Sequence, residues 1–245
     1  MLSFPGVADF LVDQRGRKID CRNGSRDFSL DIIRHLLIDQ VLPLVINLRG
    51  GEALHATAVA TPRGVCAFTG PEGSGKSTLA ASFVLSGYPL VCDDCLTLGG
   101  GQTVMAVAGY PGLRLWEDSI RALGAASRHL KRSANHATKP RWRSRSDAVS
   151  FCLAARPLAR VYLIKRSRRP SARVQIRDLS PGGALMGLLE AAYRLDTTDR
   201  EMLRRQFHFL ARVAEGVPIK RLVMPDSFSS LADVRQLVLR DLAND

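Results

Sequence analysis

Eight consecutive residues, Gly70-Pro71-Glu72-Gly73-Ser74-Gly75-Lys76-Ser77, follow the pattern G-x-x-x-x-G-K-S. This spacing makes a glycine-rich turn whose backbone N–H groups converge on an anion at a helix N-terminus. Gly70, Gly73, Ser74, Gly75, Lys76, Ser77 and Thr78 are the residues expected to contact ATP. Lys76 would reach the outer phosphates, and the Ser77 hydroxyl would ligate Mg²⁺. Downstream, the apolar run Leu90-Val91-Cys92 ends in Asp93-Asp94. Beside phosphates, one such carboxylate can hold Mg²⁺ while the other takes a proton from an acceptor hydroxyl. The plainer alternative is that one Asp caps the following turn. His55 is a third candidate, although a lone His in an apolar strand is more often a satisfied core residue.

These residues need a scaffold that brings them to one edge. Gly64–Thr69 is a short buried strand and Ser77–Ser86 a helix, with Gly87 in the position that ends one. With the strand at 90–92 this makes a βαβ crossover. Its two strands run parallel, and their C-terminal ends share the edge where open α/β sheets bind ligands. Ala53–Ala60 is a strand that turns back through Pro62-Arg63-Gly64 onto the strand before the loop. Leu96–Leu98 and Thr103–Ala108 form a strand–turn–strand around three glycines, which mixes antiparallel pairing into the sheet.

Outside this core, Leu30, Ile33, Leu36 and Leu37 fall on one face of a helix over 28–39, with Asp39 off that face. Pro43 ends that helix, and Leu44–Leu48 has the composition of a strand. Trp116–Leu123 is a short helix with Trp116 in the core. Leu158–Ile164, Arg173–Leu179 and Pro218–Met224 are strands. Helices cover 182–215 and Ser230–Leu242. The expected fold is α/β: a P-loop βαβ core in a mixed β-sheet with flanking helices, as one domain over 28–245 behind a lead-in hairpin within 1–27.

The chain has a formal net charge of +12 and an isoelectric point near 10.2. Residues 121–177 hold sixteen Lys or Arg against one acid, Asp147, so this segment is more basic than the chain as a whole. Its part from 127 to 146 lacks apolar periodicity and is expected to be a long mobile loop. Lys139, Arg141, Arg143 and Arg145 alternate along it. They form either a clamp on phosphate or an acidic acceptor, or a solvated face. Nucleic acid is the lesser reading, because no helix-turn-helix, zinc-finger or RNP pattern accompanies the charge. Five scattered cysteines and no secretory signal suggest reduced thiols in the cytoplasm. No apolar run is long enough to cross a bilayer, so no membrane partner is expected. A homo-oligomer is compatible with the sequence.

Leu54-His55-Ala56, the glycine-rich loop and Leu90-Val91-Cys92-Asp93-Asp94 occur in the order and spacing of the catalytic domain of HPr kinase/phosphorylase. Tyr110-Pro111-Gly112-Leu113-Arg114-Leu115-Trp116 resembles the shorter HPr-kinase-related proteins, some of them associated with peptide tailoring and lasso-peptide clusters. The resemblance implies an ATP- and Mg²⁺-dependent kinase acting on a Ser or Thr hydroxyl of a peptide or small protein. A lasso-type precursor peptide is its best acceptor. It implies Asp93 as the base, Asp94 with Ser77 on the metal, and His55 assisting at the γ-phosphate or acceptor. Glu72 departs from that family's loops, and no phosphorylase signature is recognisable after Asp94. A regulatory nucleotidase without a covalent acceptor is one alternative. A small-molecule kinase is another, since the core also resembles phosphoenolpyruvate carboxykinase.

Overall fold

The computed structural model describes residues 1–23, 30–132, 141–144, 150–167, 169, 172–194 and 196–244. It opens with an antiparallel meander, β1 (Leu2–Phe4), β2 (Ala8–Val12) and β3 (Ile19–Asn23), three strands where the sequence suggested a two-stranded hairpin. Phe10 and Ala8 of this meander pack against Val41 and Val45 in a small core of their own.

α1 (Leu30–Leu36) runs through a π-helical turn over Leu37–Val41 directly into α2 (Leu42–Leu48). The strand expected at Leu44–Leu48 is therefore a helix. Pro43 begins it rather than ending its predecessor, because a first-turn proline lacks only an N–H that has no helical partner. The wide turn also changes the helical phase. Asp39, placed off the apolar face by a constant 3.6-residue period, is instead 2% exposed.

The expected strand over 53–60 is broken at His55 into β4 (Glu52–Leu54) and β5 (Ala56–Thr61). β6 (Gly64–Thr69) leads through the glycine-rich loop into α3 (Lys76–Val84) and on to β7 (Leu90–Cys92). β5 lies between β6 and β7 and pairs antiparallel with both. β6 and β7 therefore point the same way, and their C-terminal ends meet at one edge. The chain continues through β8 (Leu96–Gly99), which pairs antiparallel with both β4 and β9 (Met105–Val107), and then β10 (Leu113–Arg114) and α4 (Glu117–Leu123). β11 (Leu130–Arg132) and β12 (Arg141–Ser144) join β10 in a small antiparallel sheet. Arg141 and Arg143 thus lie on a strand, while Lys139 and Arg145 fall outside the described residues.

β13 (Arg156–Ser167) is the spine. It pairs in parallel with β6 on one side; on the other it pairs antiparallel with β9 at its start and in parallel with β15 (Ile219–Pro225) further along. β14 (Gln175–Asp178) closes that edge against β15. The result is a nine-stranded mixed sheet. Alternation along β6 sorts the two cores. Cys66 and Phe68 face α3 and α7 (Leu231–Ala243), whereas Val65 and Ala67 face α5 (Pro181–Ala191) and α6 (Arg200–Gly216). An α/β fold with a mixed sheet and helices on both faces is what the sequence led us to expect. Among the described residues no helix is long and apolar enough to cross a membrane.

Candidate active site

The glycine-rich loop rises from the end of β6. Gly70, Gly73 and Gly75 have φ of 148°, 74° and 92°, values that L side chains rarely adopt. A Cβ at Gly70 would also lie 2.9 Å from the Ile164 carbonyl oxygen. Gly75 caps α3 in the left-handed conformation, so the first helical N–H groups, those of Lys76 and Ser77 among them, face the loop. The Lys76 ammonium folds back onto the Gly70 and Pro71 carbonyl oxygens at 2.8 and 3.1 Å. Ser74 Oγ is buried and has no hydrogen-bond partner. The Thr78 hydroxyl lies 2.9 Å from that of Ser119 on α4. Glu72 is exposed at the lip, where solvent screens its carboxylate.

Asp93 follows β7 and is embedded. Its Oδ1 accepts from Ser77 Oγ at 2.9 Å and from Thr57 Oγ1 at 2.7 Å, and its Oδ2 accepts from the Arg114 backbone N–H at 2.6 Å. Asp94 turns the other way because its backbone is left-handed, with φ of 65°, a conformation Asp tolerates better than most residues. Its carboxylate lines the cleft above Lys76 and Ser77, 3.5 Å from Arg114 Nη1. Ser77 therefore hydrogen-bonds Asp93, whereas the resemblance pairs Ser77 with Asp94 on the metal. A carboxylate held by three donors is suited to fixing a metal beside the loop, and the less engaged one to receiving a proton.

His55 sits in the break between β4 and β5. Its Nδ1 is 3.1 Å from the Asp94 carbonyl oxygen and 3.2 Å from the Tyr193 hydroxyl; in the tautomer that donates from Nδ1 to the carbonyl, Nε2 is the basic nitrogen. The Tyr193 hydroxyl donates to the same carbonyl at 3.1 Å and packs edge-on to the imidazole. Burial pushes the Tyr193 phenol well above its usual range, with Cys95 and Asp94 adding to the shift, so it stays a neutral donor. Burial likewise raises the Cys92 thiol, and lifts that of Cys95 to about 12.

Two neighbouring residues escaped the sequence reading. Arg114 bridges Asp94 and Asp39, whose carboxylate is 3.6 Å from Arg114 Nη1 and 2.6 Å from His35 Nδ1. Trp116 is not core: it is 48% exposed and lines the cleft with Phe228. The alternation Leu113-Arg114-Leu115-Trp116 carried the signal, since the two leucines are buried and their partners turn to the cleft.

The cleft over the loop has a volume of about 390 Å³. A second, of about 640 Å³, opens between the start of the loop, the end of β13 and α5. His55 and Glu72 line both. The side chains of Arg141 and Arg143, like Lys139 and Arg145, are not among those described, so the basic clamp expected from the sequence lies outside the described residues.

No family model matches the chain, and no curated protein matches it. Among solved structures, the Hpr(Ser) kinase/phosphatase from Coxiella burnetii is similar over 78% of this chain and 97% of that one, at 13% identity and a TM-score of 0.39. That score is too low to carry a functional reading.

Proposed function

We propose that this chain is an ATP-dependent kinase that transfers the γ-phosphate to a Ser or Thr hydroxyl of a peptide or small protein. The observation that carries the reading is the division of the two adjacent carboxylates. Asp93 is locked onto the loop serine, and Asp94 faces the cleft between Lys76 and His55. The glycine cradle suits a phosphate chain, and Ser77 with Asp93 supplies the hard oxygen donors that Mg²⁺ prefers. Bound Mg²⁺ would neutralise charge developing between the β- and γ-phosphates. Loop N–H groups and Lys76 orient the phosphates. Asp94 accepts the acceptor's proton, and His55, oriented from behind by the Asp94 carbonyl and Tyr193, adjusts the charge where the two clefts meet.

In this proposal the larger cleft receives the acceptor. Its wall carries both signs, Glu72 and Glu190 against Lys165 and Arg221, which suits a peptide segment better than a compact metabolite. A ribosomal precursor of the lasso type is the acceptor that the sequence resemblance implies. The test is incubation with γ-labelled ATP and candidate precursor peptides. Label on a peptide Ser or Thr supports the kinase. Label released only as inorganic phosphate assigns the site to a nucleotidase.

A further inference from the structure

β13 ends at the glycine-rich loop, and Arg166 at that end lies against it. Its Nη1 is 3.4 Å from the Gly73 carbonyl oxygen and 2.8 Å from Asp226 Oδ1. A Cβ built on Gly75 would lie 3.9 Å from Nη2, so the guanidinium also reaches the residue that caps α3. Its Nε is buried and has no hydrogen-bond partner. Arg166 lines the same cleft as Lys76, Ser77 and Asp94.

This is not the setting of a surface arginine. The side chain is only 30% exposed, and the fold holds it from two directions. Parallel pairing of β13 with β15 sets Ser167 opposite Pro225, and the Asp226 N–H donates to the Ser167 carbonyl oxygen at 3.2 Å. Asp226 is therefore fixed at the sheet edge from which Arg166 projects. Its carboxylate is 60% exposed, so the pair adds little to folding. A buried N–H without an acceptor is costly unless a ligand supplies one. A phosphate chain on the loop would supply it, because a guanidinium fork matches two phosphate oxygens.

We propose that Arg166 is a second phosphate-binding cation of this cleft, acting with Lys76 on a nucleoside di- or triphosphate, with Asp226 as its resting partner. The proposal rests on reading the cleft as the ATP site. The test is calorimetric titration of the wild type, Arg166→Gln and Arg166→Lys with ATP and, separately, with adenosine. Arg166→Gln is expected to bind ATP at least about tenfold more weakly, as loss of a charge-assisted contact requires, with adenosine affinity unchanged. Arg166→Lys should fall between that variant and the wild type. Unchanged ATP affinity in Arg166→Gln overturns the proposal, as does an equal loss for ATP and adenosine, which marks a structural role. If the Gln variant does not fold, the Lys variant decides: selective weakening toward ATP supports the proposal and wild-type affinity overturns it. A wild-type protein that binds no ATP refutes the nucleotide reading itself, and the role of Arg166 falls with it.

Discussion

Ser77 Oγ donates to Asp93 Oδ1 at 2.9 Å across the gap between the glycine-rich loop and the end of β7. This contact ties the candidate phosphate site to the candidate metal site. It also separates Asp93 from Asp94, which is adjacent in sequence but directed into the cleft. Thr57 and the Arg114 backbone complete the setting of Asp93.

The two carboxylates should respond differently to the same substitution. Asp93→Asn replaces an acceptor of three hydrogen bonds by an amide and removes the charge beside Ser77. It is expected to weaken Mg²⁺ binding, with partial recovery at raised Mg²⁺ or Mn²⁺. Asp94→Asn should keep Mg-ATP affinity near normal and slow transfer, by about 10²–10⁴-fold if general-base help is fully expressed and less if positioning dominates. Nucleotide binding and single-turnover transfer across a metal titration measure both. Metal rescue of Asp94→Asn but not Asp93→Asn would restore the assignment implied by the resemblance.

Lys76 is 6% exposed, and its ammonium is held by two loop carbonyls. Lys76→Ala should abolish transfer and most ATP affinity, since no other loop side chain carries positive charge. It also removes both contacts from the loop. Charge-assisted hydrogen bonds contribute about 1.5–3 kcal/mol each, so a drop on the order of 10 °C in the nucleotide-free melting temperature is expected with the fold retained. Circular dichroism and calorimetry separate the two effects. Full ATP affinity in a folded variant would rule the loop out as the phosphate site.

Trp116 and Phe228 are both partly exposed and border the same cleft as the loop. An adenine base against Trp116 is expected to quench its fluorescence on ATP addition. Trp116→Leu should weaken ATP binding about fivefold, in line with about 1 kcal/mol for an aromatic contact. The check is a fluorescence titration of the wild type and of Trp142→Phe, which leaves Trp116 as the sole tryptophan. A signal insensitive to ATP would place the base elsewhere.

The loop, β6, α3 and β7 were legible because their signals are local: glycine spacing, short apolar runs and a helix stop at Gly87. The different hydrogen-bond settings of Asp93 and Asp94 were not. They depend on the left-handed backbone at Asp94 and on donors from Thr57 and Arg114, which are distant in sequence. Asp39 was hidden by the π-helical turn, which shifts a periodicity that sequence reading takes as constant. Leu44–Leu48 misled as well. Its run of Leu, Val and Ile has the composition of a strand, but these residues continue the preceding helical turns as α2. Trp116 was assigned to the core by residue type, although its place in an alternating run pointed outward.

The last expectation concerns stability away from the cleft. Arg160, 1% exposed, comes from β13 and meets Asp241 of α7, donating to its backbone oxygen at 2.6 Å and also to Oδ2. Tyr162 donates to Oδ2 and Lys220 to Oδ1, each at 2.8 Å. Burial alone would raise the Asp241 carboxyl, but the hydrogen bonds from Lys220, Tyr162 and Arg160 outweigh it and hold the carboxyl below its ordinary value of 3.8. The sign follows from linkage. A group depressed in the folded state contributes stability fully above its unfolded value, and that contribution is lost as pH falls through the folded one. The wild type should therefore lose melting temperature below about pH 4, and Asp241→Asn should lose less over that range. At neutral pH the variant leaves Arg160 buried without its counter-charge, a defect that costs about 3–5 kcal/mol when one partner of a buried pair is removed. Thermal melts of both proteins from about pH 7 to about pH 3 test the two statements together. Parallel pH profiles would show that Asp241 does not titrate with unfolding. An unchanged neutral melting temperature would show that Arg160 reaches solvent without it.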